Sequence, residues 1–206
     1  MVRITGEVED EARDGEKRSM NAPTDRVKIL RLADLPPSEN VRAAIETIFW
    51  ETSAQRQFAS EAERLVYLDR WLGRYLKHFP GEAFVARAVT NEVVGYLVGC
   101  LSDPTGHPLF ADVSYFSLFA RFSTDYPAHL HINLKAEWRG RGIGKDLVEA
   151  FAGHAAKSGA PGMHVVTGEG ARNNSFYRAC GFQQLGSVDW NGNRIAFFGR
   201  RLASFD

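Results

Sequence analysis

The sequence is poor in cysteine, has no net charge and contains no long hydrophobic run. Its two cysteines, Cys100 and Cys180, form neither a disulfide framework nor a C-x-x-C metal or redox pair, and they suit small apolar core positions. Twenty-five basic side chains balance twenty-five acidic ones, so no global charge attracts nucleic acid or an anionic membrane. No apolar stretch approaches membrane-spanning length, and the first residues lack a basic start followed by an apolar run. We therefore expect a cytoplasmic protein with neither nucleic acid nor membrane as a partner.

The composition is that of one soluble globular domain. The chain has 206 residues, of which 44% are hydrophobic and 24% charged, and this length is enough to bury a core. Residues 1–25 are mostly charged or small, so they bury too little apolar surface to offset the entropy of ordering them. The sequence predicts a flexible N-terminal arm over residues 1–25 and a single domain over residues 26–206. A later start at Met20 is an alternative that mass analysis of the native N-terminus would test.

Hydrophobic periodicity predicts an α/β chain. Val27, Ile29 and Leu32 alternate with polar neighbours, which indicates a first strand. Two helical stretches follow, and the second has leucines recurring on one face. These leucines are Leu65, Leu68, Leu72 and Leu76. The pattern of the remaining sequence predicts a hairpin that turns at Thr90 and Asn91, a strand-helix-strand unit, a short helix and a terminal hairpin.

Residues 103–127 are rich in aromatic side chains and show no clear strand alternation. The six rings belong to Phe110, Tyr115, Phe116, Phe119, Phe122 and Tyr126. We interpret the segment as an aromatic, helical insertion. Its rings either plug one end of the core or form a lid over a substrate pocket, since aromatic-lined concavities are a common ligand environment.

Three glycines and three basic residues fall within Arg139 to Lys145. The preceding stretch "HLHINL" alternates like a strand, and "KDLVEAFAGHAAK" follows at helical spacing until Gly159 ends it. The glycine-rich segment therefore joins a strand to the N-terminus of a helix. Backbone N–H groups there have no intrahelical acceptor and sit at the positive end of the helix dipole, so they bind phosphate oxygens. Glycine lets those groups approach a ligand closely.

Two widespread phosphate-binding motifs do not match this loop. A dinucleotide motif G-x-G-x-x-G that began at Gly140 would need glycine where Lys145 stands. A P-loop ending at Gly144 and Lys145 would need glycine where Arg139 stands and Ser or Thr where Asp146 stands. The pattern that does fit is R-x-x-G-x-G, formed by Arg139, Gly142 and Gly144.

In this pattern and its strand-to-helix setting, the sequence resembles the GCN5-related N-acetyltransferase (GNAT) superfamily, which uses acetyl-coenzyme A. The resemblance implies an α/β (α+β) fold with a mixed, mostly antiparallel, splayed sheet flanked by helices. It also implies that the strand binds pantetheine and the loop binds the pyrophosphate. By position, the implied cofactor-binding residues are Ile132, Asn133, Leu134, Arg139, Gly140, Arg141, Gly142, Ile143, Gly144 and Lys145.

A second segment, "RNNSFYRACGF", resembles another signature of this family. The resemblance implies that Asn173 and Tyr177 contact the coenzyme, although many members place the asparagine where this chain has Gly170. It also implies that Tyr177 is the general acid, because a phenol within hydrogen-bond reach can protonate the leaving thiolate. The alternative for Tyr177 is a packing role only.

The general base is a separate hypothesis. His129 and His131 share one face of the strand "HLHINL", and a neutral imidazole can accept a proton from an amine. We take His131 as the candidate, against the alternative of two polar residues on a partly exposed face. Glu137 and Glu169 are further candidates. The histidine pair lacks an evident third ligand, so no metal is expected.

The sequence thus predicts an acetyltransferase domain over residues 26–206 that transfers acetyl from acetyl-CoA directly to an amine, without a covalent enzyme intermediate. The alternative is a non-catalytic acyl-CoA-binding or protein-interaction module on the same fold. The acceptor is expected to be a small-molecule or peptide amine, and a homodimer is kept as one option. Within the family, "YPAHLHINL" is similar to acetyltransferase-like domains related to those attached to O-GlcNAc hydrolases.

Overall fold

The computed structural model describes residues 26–36 and 39–203. The predicted flexible arm over residues 1–25 lies outside the described residues. Among the described residues, seven strands form one sheet in the order β1-β2-β3-β4-β5-β7-β6. The strands are β1 (Val27–Arg31), β2 (Phe84–Ala88), β3 (Val93–Cys100), β4 (Ala128–Leu134), β5 (Gly162–Gly168), β6 (Gln183–Trp190) and β7 (Asn193–Arg201). Within this sheet only β4 and β5 run parallel, which confirms the mixed, mostly antiparallel sheet.

Helices cover both faces of the sheet. They are α1 (Glu39–Thr52), α2 (Glu61–Leu68), α3 (Arg74–His78), α4 (Tyr115–Leu118), α5 (Ile143–Lys157) and α6 (Asn174–Ala179). One buried cluster lies under α1 and α3, and a second lies under α5 and α6. Strand β3 is buried along its whole length because its two faces serve both clusters.

The second helical stretch of the sequence differs from the prediction of one leucine face. Leu72 is buried, but Leu65 is 53% exposed. The helix changes to π-helical geometry at Asp69–Gly73, between α2 and α3, and the wider turn shifts the phase of the side chains. The prediction that Leu65 and Leu72 share a buried face was therefore wrong. The π-helical turn also carries Trp71.

The aromatic segment folds into short helical turns whose rings point inward. Phe110, Tyr115, Phe116 and Phe119 are all buried, with at most 6% of each exposed. Their rings join the cluster beneath α1 and α3. This burial favours the core-plug interpretation for most of the segment. Tyr115 differs, because it also contacts half-buried rings outside the core.

Strands β4 and β5 separate soon after they begin to pair. Their only paired positions are Ala128 with Met163 and His129 with His164, although each strand is seven residues long. Beyond His129, the edge of β4 that faces β5 has no strand partner within residues 26–36 and 39–203, so its backbone polar groups can bind a ligand. We call this divergence the fork. It is the splay that the sequence predicted.

No helix among the described residues is long and apolar enough to cross a membrane.

Candidate functional site

The loop after β4 adopts a backbone that requires glycine. Gly140 and Gly142 have φ values of 74° and 84°, in the left-handed region, and an added Cβ at either would meet no atom within 4 Å. Conformation rather than space therefore demands glycine at both positions. Gly142 is the N-cap of α5, and no side chain in the described part of the chain caps that end. The first amides of α5 are thus left for an external acceptor.

Gly144 is required for a different reason. A Cβ there would lie 3.0 Å from the ring of Phe176. The absence of a side chain lets α6 pack against the first turn of α5. The two sequence motifs are brought together by this contact.

The arginines of the loop have structural partners. Arg139 donates from Nε and Nη2 to the carbonyl oxygen of Leu134, at 3.2 and 3.1 Å. It therefore ties the loop back to the end of β4. The guanidinium of Arg141 lies 5.0 Å from the ring centroid of Trp138. Both contacts hold the loop against the turn that precedes it.

A cavity of about 620 Å³ opens between the fork edge of β4, the loop and α6. We call it the fork cavity. It is lined by most of the predicted cofactor residues, namely Ile132, Asn133, Leu134, Arg139, Gly140, Gly142, Ile143, Gly144, Lys145, Asn173 and Tyr177. Arg141 and His131 are not among the lining residues.

Sequence reasoning missed several residues of the fork cavity. They are Trp138, Arg172, Ser175, Phe176, Ala179 and Cys180. Arg172 adds a third basic side chain, after Arg139 and Lys145, so the cavity is positively charged where the helix dipole is also positive. Phe176 was within a quoted motif but had been assigned no role. Arg172 had no signal of its own, since single arginines are common on surfaces.

Hydrogen bonds orient both asparagines of the cavity. Asn133 donates from Nδ2 to the hydroxyl of Tyr96 at 2.8 Å, and the Oδ1 of Asn173 accepts from Thr167 at 3.0 Å. Asn133 of β4 is held by a side chain of β3, and Asn173, the N-cap of α6, is held by a side chain of β5. The remaining polar atoms of both amides are available to a ligand.

Tyr177 lies at the inner end of α6 and is 8% exposed. Its hydroxyl has no hydrogen-bond partner within the described part of the chain. Burial raises the pKa of Tyr177 to about 12, so the phenol carries its proton at neutral pH. Its ring packs edge-on against Phe182 and Phe176.

The structure brings His131 together with two residues that the sequence did not single out. The hydroxyl of Tyr75 lies 3.0 Å from Nε2 of His129 and 3.1 Å from Nε2 of His131. The ring of His164 is 5.6 Å from that of His129, centroid to centroid. Burial lowers the pKa of both His131 and His164 to about 4, so both are neutral at pH 7. We call His129, His131, His164 and Tyr75 the histidine cluster.

Tyr115 lies near both Tyr75 of the histidine cluster and Tyr177 of the fork cavity. Burial raises the pKa of Tyr115, and the nearby Tyr177 raises it further. Tyr115 also stacks on Trp71, with ring centroids 6.4 Å apart, and Trp71 in turn lies edge-on to His131 at 5.4 Å. These long-range contacts could not be inferred from local patterns, because the residues come from separate elements.

The other predicted candidates for acid or base chemistry lie elsewhere or are engaged. Glu169 binds Arg194 at 2.6 Å and accepts from Gln184 at 2.8 Å. Glu137 belongs to a short 3-10 helix before the loop and does not line the fork cavity. The described residues contain no group of three or more His, Cys, Asp or Glu side chains suited to a metal ion.

Comparisons with known proteins agree with this geometry. A family model described as "Acetyltransferase (GNAT) domain" matches residues 80–184, about half of the chain and most of the fork cavity. The crystal structure of SsHAT aligns with a TM-score of 0.65 and 22% identity, covering 86% of this chain and 99% of that one.

Two further solved structures align over similar lengths. A GCN5-related N-acetyltransferase from Kribbella flavida has a TM-score of 0.56 and 15% identity, and covers 85% of this chain and 98% of its own. A phosphinothricin acetyltransferase from Sinorhizobium meliloti, solved in complex with AcCoA, has a TM-score of 0.53 and 21% identity, with 86% and 88% covered. At these identities the structures show a shared fold.

Proposed function

The chain belongs to the acetyltransferase (GNAT) family, and from that premise we propose that it transfers an acetyl group from acetyl-coenzyme A to an amine of a small-molecule or peptide substrate. The observation that carries the proposal is the fork cavity. It combines the uncapped N-terminus of α5 with a buried, protonated phenol at Tyr177. Acetyl-coenzyme A carries a pyrophosphate and a thioester in one molecule. The helix end can bind the pyrophosphate, and the phenol can protonate the thiolate that leaves.

The residues present are suited to coenzyme A. The first amides of α5, with Lys145 and Arg172 beside them, form a site for a pyrophosphate. The unpaired edge of β4 at Ile132 to Leu134 offers backbone groups to the amides of a pantetheine arm. When bound, acetyl-coenzyme A supplies the acetyl group in the activated form of a thioester.

Tyr177 is proposed as the general acid. Its raised pKa keeps the proton on the phenol oxygen at neutral pH, so the side chain is in its acid form when the thiolate leaves. The Tyr177 hydroxyl has no hydrogen-bond partner within the described residues, so its proton is available to a bound ligand. The side chain is fixed by packing against Phe182 and Phe198, so the hydroxyl position is constrained.

His131 is proposed as the general base. It lies two residues beyond the last β4–β5 pair, at the opening of the fork. Its low pKa leaves the imidazole neutral at any pH well above about 4. A base this weak takes the proton only as the new N–C bond forms, when the amine proton has become acidic.

Direct transfer is favoured over an acyl-enzyme. Cys180 lines the fork cavity, but burial raises its pKa, and the thiolate rather than the thiol is the nucleophile. Cys100 is also buried, and burial raises its pKa to about 12. Neither cysteine is therefore prepared for nucleophilic attack.

The subgroup within the family is a further part of the proposal. The segment "YPAHLHINL" supports a relation to the acetyltransferase-like domains attached to O-GlcNAc hydrolases. Because fold and cofactor site alone do not establish turnover, the second candidate is a non-catalytic, acyl-CoA-binding module. Turnover must be measured directly for that reason.

The test is release of free coenzyme A thiol from acetyl-CoA in the presence of a panel of amines, with mass spectrometry of the products. The panel includes polyamines, aminoglycosides, amino acids and peptides with free N-termini. We expect amine-dependent thiol release with one acetylated amine formed per thiol. Tight binding of acetyl-CoA without acetylated product from any panel member would favour the binding module instead.

A further inference from the structure

The hydroxyl of Tyr75 is shared by two histidines. It lies 3.0 Å from Nε2 of His129 and 3.1 Å from Nε2 of His131. A phenol has one proton to donate. It therefore donates to one Nε2 and accepts from the other, so the two imidazoles must be opposite tautomers.

The tautomer of His164 is fixed by a carbonyl group. Its Nδ1 lies 2.6 Å from the backbone oxygen of Tyr126, which can only accept. Nδ1 of His164 therefore carries the proton, and its Nε2 is a lone pair. That Nε2 is buried and has no partner within the described residues, and the same is true of Nδ1 of His129.

These two unpartnered nitrogens belong to neighbouring rings. The rings of His129 and His164 are 5.6 Å apart and 2% exposed each. Buried polar groups are rarely left unpaired, and ordered water commonly satisfies them. One water that accepts from His129 Nδ1–H and donates to His164 Nε2 would pair both nitrogens.

We propose that Tyr75, His129 and His164 form a head-to-tail hydrogen-bond chain that holds His131 as the Nε2–H tautomer and leaves its Nδ1 free to accept a proton. The chain runs from His131 Nε2–H to Tyr75, from Tyr75 O–H to His129 Nε2, through the water to His164, and ends on the Tyr126 carbonyl. In a continuous chain each bond polarises the next, which strengthens it. A water that donated to both imidazoles would break this order.

The inference rests on the proposed function, because it assigns a role to His131 in that reaction. The ring of His131 is half-buried and lies edge-on to Trp71. The amine proton passes to Nδ1 of His131 while Nε2–H stays bonded to Tyr75. Tyr177 gives its proton to the leaving thiolate, and solvent returns one proton from His131 to Tyr177. Tyr75, His129 and His164 are positioning residues, since they act through His131.

The charged groups that influence the pKa values of the histidines in the chain include Arg74 for His131 and Asp103 for His164. Arg74, which disfavours a charged His131, is bound to Asp112 at 2.6 Å. His107 lies near His129, and Cys100 and Tyr115 lie near Tyr75. None of these groups reaches the Tyr75 hydroxyl within hydrogen-bond distance among the described residues. The Tyr126 carbonyl therefore fixes the tautomer at the His164 end of the chain, and the tautomers of His129 and His131 test the order of the rest.

Long-range ¹⁵N–¹H NMR of the histidine side chains in the full-length protein tests the chain without any substrate. At neutral pH we expect the proton on Nε2 of His131 and on Nδ1 of both His129 and His164. The opposite pattern, with the proton on Nδ1 of His131 and on Nε2 of His129, would overturn the proposal. A protein that binds acetyl-CoA without turnover would fail the proposed function but still show the predicted tautomers.

The role in catalysis is tested with Tyr75→Phe. We expect kcat to fall about tenfold with the KM for acetyl-CoA unchanged, because only the base loses its support. Tyr67→Phe is the matched control, since its hydroxyl bonds Ser53 at 3.0 Å rather than any histidine, and it should keep full kcat. Unchanged kcat in Tyr75→Phe would remove the positioning role. If Tyr75→Phe does not fold, the NMR pattern of the natural protein decides.

Discussion

The fork cavity and the histidine cluster lie on neighbouring parts of the sheet but are built differently. In the fork cavity, the anion-binding groups are mostly backbone amides of one continuous stretch, from Ile132 to Lys145. In the histidine cluster, the polar groups are side chains from α3, β4 and β5, and Tyr75 is 56 residues from His131. The first region depends on glycine conformation, whereas the second depends on burial and hydrogen bonding. Each region should therefore fail in its own way when it is altered.

The largest effect is expected in the fork cavity, at Tyr177. Tyr177→Phe removes the proposed acid and leaves the ring packing intact. We expect kcat to fall about 10³-fold, within the range usual for loss of a general acid, and binding of acetyl-CoA to be almost unchanged. Steady-state kinetics and calorimetric titration of coenzyme A measure the two quantities. Turnover that is preserved would return Tyr177 to the packing role.

The histidine cluster should make folding stability depend on pH. The folded pKa of His164 is about 4, against 6.5 for an ordinary histidine. Between these values the unfolded chain binds a proton that the folded protein does not, so stability falls as the pH drops from about 6.5 to about 4. His164 should account for about 3 kcal/mol of that loss in the free energy of unfolding.

Urea unfolding at several pH values measures this loss. His164→Gln should reduce the slope of the unfolding free energy against pH. His154→Gln is the control, because His154 is only partly buried on α5 and should reduce the slope less. An unchanged slope in His164→Gln would show that His164 is not held neutral in the folded state.

The fork cavity should instead be sensitive to glycine replacement. Gly142→Val puts a β-branched residue at a φ of 84°, which raises the free energy of this loop conformation by about 2 kcal/mol. The free loop should relax to another conformation, so binding of coenzyme A has to restore the strained one. We expect the affinity for coenzyme A to fall about 30-fold, as measured by calorimetry. Gly153→Ala in the middle of α5 is the control, since an added Cβ there meets nothing within 4 Å and helix propensity improves. Equal affinity in both variants would contradict a backbone-built anion site.

The smallest effect is expected from a single charge. Lys145→Gln removes one cation from the first turn of α5 and should weaken coenzyme A binding roughly fivefold at low salt. The difference should shrink as salt is added, because exposed charges are screened. Lys157→Gln, at the other end of the same helix, should leave the affinity unchanged. A Lys145→Gln defect that persists at high salt would indicate a direct, buried contact.

The same contrast explains which features the sequence could predict. The loop from Arg139 to Lys145 was recognisable because its glycines, charges and flanking elements are local in the chain. The splay of β4 from β5 followed from the family resemblance. Arg172 was not predictable, because single arginines are common on surfaces. The position of Tyr75 between His129 and His131 was not predictable either, because its contacts join distant elements. The π-helical turn at Asp69–Gly73 was also missed, since the periodicity of Leu65 and Leu72 suits an ordinary α-helix.

The most direct test of the central claim is a crystal structure of the protein with acetyl-CoA. The fork should hold the pantetheine arm, with the pyrophosphate against the amides of Gly142 to Lys145. We predict the thioester sulfur within about 3 to 4 Å of the Tyr177 hydroxyl and the acetyl group facing His131. A coenzyme bound outside the fork, or a thioester far from Tyr177, would contradict the account.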